Sequence, residues 1–159
     1  MQLNTIGGWF MASIEFHPDF KDFLRLLNSH GVEYLVVGGY AVGYHGYPRA
    51  TGDLDIWIAV SQANAERAAQ AARAFGMPAL ETTKWLFTEK DKVVRMGVPP
   101  VRIEVITGAS GVEFDKCYPR REIVEIDDIP VNFISLDDLK SNKRAVGRHK
   151  DLEDIEHLP

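Results

Sequence analysis

The sequence predicts a mixed α/β (α+β) fold: a single compact domain with one mixed β-sheet flanked by helices. Three observations lead there. Stretches with apolar residues at helical spacing alternate with short apolar runs bounded by glycine, proline or acidic pairs. The chain has 159 residues, 45% hydrophobic and 26% charged, the size and balance of one globular domain. No repeat or low-complexity linker divides it. Residues 1–15 read as a loosely ordered lead-in and residues 16–159 as the domain.

The elements follow in order. Pro18 opens a helix whose Phe20, Phe23, Leu24 and Leu27 share one face, and Gly31 stands where its cap belongs. "VEYLVVGG" is a short apolar strand stopped by Gly38-Gly39, with a brief helix over Tyr40 to His45 and a turn around "GYPRATG". "DLDIWIAV" is a strand apolar on both faces after its acidic start, as expected of a central strand. Ser61 caps a helix that packs on Ala65, Ala68, Ala69 and Ala72 and ends at Gly76. "KWLFTEKDKVVRMG" reads as a hairpin turning near "EKDK", Pro99-Pro100 as a break, and "VRIEVITG" as a further strand. Two short strands flank Asp127-Asp128, Ser135 and Asp138 open a helix, and Gly147 precedes a last helix carrying Leu152, Ile155 and Leu158.

Composition narrows the function classes. A net charge of −5 argues against a general nucleic-acid coat. Cys117 is alone, which excludes a disulfide framework and suits a reducing, cytoplasmic setting. The five histidines lack zinc-site spacing. No apolar run approaches a membrane span, and the opening residues lack the basic start of a signal peptide.

The chemistry gathers on two strands. Asp53 and Asp55 lie two apart and therefore point the same way; Glu104 occupies a similar setting in "VRIEVIT". If the strands are neighbours, three carboxylates converge, a hard-oxygen set suited to Mg²⁺ or Mn²⁺. Gly38-Gly39 before a helix lets backbone N–H groups approach an anion. Metal at the acids and phosphate at the glycines would be two ends of one metal–triphosphate. Trp57 shares the acid face and walls the site. Asp151 and Asp154 read as members of an ion-pair lattice with Arg148 and Lys150 that holds the last helix.

Val37-Gly38-Gly39, thirteen residues, then Asp53-Leu54-Asp55-Ile56 resembles the signature of the nucleotidyltransferase superfamily, the polymerase-beta-type fold. "GGYA…PRATGDLDI" and "LKSNKRAVGRHKDLEDIEHL" are similar to small bacterial nucleotidyltransferases related to AbiEii-like abortive-infection and toxin–antitoxin proteins. The resemblance implies a nucleotidyltransferase-type domain that transfers an NMP from an NTP to an acceptor hydroxyl. Asp53, Asp55 and Glu104 would be catalytic and metal-binding, and Gly38, Gly39, Arg49, Thr51 and Lys143 nucleotide-binding. The acceptor stays open between RNA, protein and a small molecule, and a toxin or antitoxin partner is implied. Two departures stand out: Tyr40 follows Gly39 where many relatives have Ser or Thr beside the glycines, so backbone must make that phosphate contact, and Glu104 is a methylene longer than the usual Asp. The alternatives are a non-catalytic regulatory module of the same fold and a dinucleotide-binding unit. The latter needs a G-x-G-x-x-G turn, where this chain has "GGYAVGYHG".

Overall fold

Helix α1 spans Pro18–Ser29, with proline in its first turn and His17 Nδ1 accepting from the Asp19 N–H. It buries Phe20, Phe23, Leu24 and Leu27, the face the spacing predicts. Strand β1 (Tyr34–Val37) is buried throughout and passes directly into α2 (Gly38–Tyr44). Strand β2 (Asp53–Ile58) returns antiparallel beside β1. Helix α3 (Gln62–Phe75) is capped by the Ser61 side chain and ended by left-handed Gly76. Its alanine face packs against α1, with Phe23 meeting Phe75 edge-on at 5.2 Å. Asn64, 2% exposed, binds the backbone of Glu33 and Ala59 and so ties the start of β1 to the end of β2.

Strands β3 (Val93–Val98) and β4 (Val101–Ile106) form an antiparallel hairpin. Helix α4 (Phe114–Cys117) leads through a 3-10 turn into strands β5 (Glu122–Ile126) and β6 (Ile129–Phe133). Asp127 and Asp128 both have positive φ, 52° and 64°, the backbone of a two-residue turn matched to strand twist. Helices α5 (Leu136–Val146) and α6 (His149–His157) close the chain. The computed structural model describes residues 15–77, 87–98 and 100–159. All of the predicted lead-in 1–15 except Glu15, and the start of the "KWLFTEKDK" stretch, lie outside the described residues.

The strands make one six-stranded mixed sheet in the order β3-β4-β2-β1-β6-β5, with six helices among the described residues: a single mixed α/β domain. β2 is central, antiparallel to β1 and parallel to β4. Among the described residues no helix is long and apolar enough to cross a membrane.

Two expectations are corrected. The hairpin closes between Val98 and Val101, which pair with each other, while Phe87 and Thr88 are helical before a turn at "EKD". The Thr107 hydroxyl donates to the Glu89 carbonyl and accepts from the Lys92 N–H, which holds that turn to the end of β4. In α6, Leu152 is 47% exposed and the buried face instead carries Asp151 and Asp154. Their cationic partners, described below, reverse the apolar pattern.

Candidate active site

Antiparallel pairing of β1 with β2 brings the glycine end of β1 to the acidic start of β2, with Val37 opposite Asp55. Parallel pairing of β2 with β4 places Asp53 opposite Arg102 and Asp55 opposite Glu104. Side chains in register share a sheet face, so the three predicted carboxylates do converge. Gly38 has φ +67°, and a Cβ there would overlap the Asp55 carboxylate. Only a residue without a side chain lets β1 turn into α2 this close to the acid.

A Cβ on Gly39 would lie 2.6 Å from Thr51 Oγ1. The hydroxyl that the motif lacks next to Gly39 therefore arrives from the loop before β2. Gly39, Arg49 and Thr51 line a small cleft of about 210 Å³ together with Tyr40, Gly43 and Pro48. On the acid face, Trp57 is buried edge-on against Phe114 at 5.1 Å. Both rings line a second cleft of about 440 Å³ at the far end of β2 and β4.

The electrostatics sort the acids. Arg102 forks Asp53 through Nε and Nη2 at 3.3 and 2.8 Å and reaches Glu104 at 3.4 Å. Arg95, across from Glu104 on β3, bonds it at 3.0 Å. The Asp53 contact, with the fields of Asp53, Glu104 and Asp55, holds the Arg102 guanidinium above its ordinary pKa. Asp55 has no hydrogen-bond or ion-pair partner among the described residues. Burial, then Glu104, then Asp53 push its pKa up to about 7. Neither Arg102 nor Arg95 was singled out from the sequence. The alternation Arg102-x-Glu104 was the available signal, since it puts a cation on whichever face carries the acid.

Behind Asp55 lies a chain of ion pairs linking the loop before β2 to α5 and α6. Arg49 forks Asp154 with both bonds at 2.9 Å. Lys143 sits 3.1 Å from Asp154 and 3.1 Å from Asp151, and Arg148 bonds Asp151 at 2.7 Å. Burial pushes both carboxyls up, but their cationic hydrogen bonds win and hold them below the ordinary carboxylate range. Lys143, implied by the resemblance to bind nucleotide, is only 5% exposed, because its ammonium bridges the two aspartates. Arg49 and Lys143 thus enter the lattice read for Asp151 and Asp154, whereas Lys150 stays exposed. Three cations serve two carboxylates, and the fields of Lys143 and Lys150 both act on Asp55.

His45 is remote from this chemistry: its Nε2 lies 2.7 Å from the Ile134 carbonyl. Tyr44 stacks on Phe133 and Tyr47 on His157, which makes them packing residues.

Half-buried hard oxygens, one of them unpartnered, have the donor chemistry for Mg²⁺ or Mn²⁺. Among the described residues no three such side chains close into a ready cage, and Arg102 lies between Asp53 and Glu104. The donor set fits a divalent cation once that guanidinium gives way.

No protein-family model and no curated protein sequence matches the chain. A solved structure does: a candidate nucleotidyltransferase from Thermotoga maritima, with a TM-score of 0.59 at 16% identity, covering 91% of this chain and 95% of that one. The fold is of the nucleotidyltransferase type. At that identity the likeness is one of fold, and the activity has to be argued from the side chains above.

Proposed function

We propose that the protein is a metal-dependent nucleotidyltransferase that moves an NMP from an NTP to an acceptor hydroxyl and releases pyrophosphate. One observation carries the reading: Asp55 stands opposite Glu104, beside Asp53, against the bare Cα of Gly38. Asp53 and Asp55 would hold the divalent cation, with Glu104 as third ligand. Mg²⁺ or Mn²⁺ bound there supplies positive charge where the transferring phosphoryl group accumulates negative charge.

The rest belongs to the chain. Gly38 and Gly39 offer backbone N–H groups, and Thr51 a hydroxyl, to triphosphate oxygens. Arg49 and Lys143 act through the net positive field of their network. Glu104 accepts the proton of the attacking hydroxyl. The cleft beyond Trp57 gives the acceptor room, and RNA, a protein or a small molecule would each present a suitable hydroxyl. A toxin–antitoxin setting in the cytoplasm rests on the resemblance of the stretch from Leu139 to Leu158 to abortive-infection proteins.

Incubation of the protein with each labelled NTP, Mg²⁺ or Mn²⁺ and a cell extract tests this. Label is expected in one acceptor class. Label in none, with either metal, would overturn the reading. The fork of Arg102 on Asp53 favours a second reading, a regulatory module that keeps the fold and acts through a protein partner. Such a module should show no Mn²⁺-dependent NTP binding.

A further inference from the structure

Arg102 is an odd neighbour for a metal site. Its register partner is Asp53, its second contact is Glu104, and both acids are proposed metal ligands. A guanidinium fork and a cation cannot occupy the same carboxylate oxygens. On β3 the residue opposite Arg102 is Gly97, which offers no side chain on that flank. The Arg102 side chain is 30% exposed, so the guanidinium has a solvent route off the acids.

Resting on the nucleotidyltransferase reading, we infer that Arg102 is the resident counter-ion of the acid face and competes with the divalent cation, so that metal and triphosphate bind together. Without nucleotide, a metal ion has to displace the fork and leave a guanidinium without an anion. With triphosphate present, Arg102 exchanges a carboxylate for phosphate oxygens, which match its planar donors equally well. Metal affinity and triphosphate affinity are then coupled, each raising the other by the same factor. The arrangement keeps Asp53 and Glu104 neutralised between turnovers and reserves the metal site for metal that arrives with nucleotide.

The test is Mn²⁺ binding by equilibrium dialysis, for wild type and Arg102→Gln, each with and without inorganic triphosphate. Loss of a charge-assisted competitor is worth about tenfold or more in an equilibrium. Arg102→Gln should therefore bind Mn²⁺ alone about tenfold more tightly than wild type, and should gain less from triphosphate. Equal or weaker Mn²⁺ binding by the variant, with wild type binding Mn²⁺ in triphosphate, would overturn the competition and leave the metal site standing. No Mn²⁺ on either protein in either buffer would overturn both this inference and the metal-dependent reading. If circular dichroism shows Arg102→Gln unfolded, Arg102→Lys replaces it. A single ammonium cannot fork Asp53 while reaching Glu104, so tighter Mn²⁺ binding is again expected, and binding no tighter than wild type again overturns the inference.

Discussion

Asp55 is held in a state that works against the fold. Its pKa rises from the ordinary 3.8 to about 7 through burial, Glu104 and Asp53. Between about pH 4 and 7 the folded chain therefore binds more protons than the unfolded chain, so stability falls as pH rises. The contribution of this carboxyl is fully present below about pH 4 and is lost as pH passes about 7. Asp55→Asn removes the ionisation, so in EDTA it should melt with or above wild type at pH 8, by about 1–3 kcal/mol, and converge with it near pH 4. In Mn²⁺ plus NTP the order should reverse. Melting curves at both pH values and in both buffers decide it: a variant equally destabilised throughout would mean that the acid serves structure alone. Gly38 is the companion case. With φ +67° and Asp55 against its Cα, Gly38→Ala should cost about 1–3 kcal/mol in urea unfolding. A neutral result would show that the turn into α2 does not need a bare Cα.

At the scale of elements, the decisive feature is that α5 and α6 dock on the β2 side through charge. Lys143, Asp151 and Asp154 are 5%, 1% and 2% exposed, and Arg49 reaches them from the loop before β2. Lys143 is the one buried cation shared by both aspartates, and without it Asp151 keeps only the exposed Arg148 and Asp154 only Arg49. Lys143→Met should therefore destabilise the chain by about 3 kcal/mol or more, a loss of fold as much as of activity. Arg49→Ala should cost less, about 1–2 kcal/mol, because Asp154 keeps Lys143. Urea denaturation of both variants checks the order, and an unaffected Lys143→Met would mean that Arg49 and Arg148 suffice to satisfy the two aspartates. Activity loss in these variants bears on triphosphate binding only after folding has been verified.

For the whole molecule, the sheet order β3-β4-β2-β1-β6-β5 sets the site at one end of its central strands, where a bound metal–nucleotide would touch β1, β2 and β4 together. A ligand at one hundred times its Kd adds about 2.7 kcal/mol, which for a domain of this size is a rise in Tm of about 5–10 °C. Thermal scans with Mn²⁺ and each NTP should show that rise for at least one nucleotide. A chain whose Tm ignores every metal–nucleotide pair would point to the regulatory reading.

What the sequence determined by itself is local: the apolar face of α1, the caps at Ser61 and Ser135, the break between strands at Asp127-Asp128, and two carboxylates pointing one way from Asp53 and Asp55. Each depends on residues within a few positions of one another, where periodicity and capping chemistry speak directly. Pairing between distant segments was decided only in three dimensions. The hairpin lies later in the chain because Val98 meets Val101, and Arg102 became the partner of Asp53 because β4 lies parallel to β2 in one register. Asp151 and Asp154 read as lattice members beside Arg148 and Lys150, but that Lys143 and Arg49 are their partners is decided only by the approach of α5, α6 and the loop before β2. A charged side chain in sequence carries no mark of whether water or an opposite charge will surround it; that is a property of what packs against it.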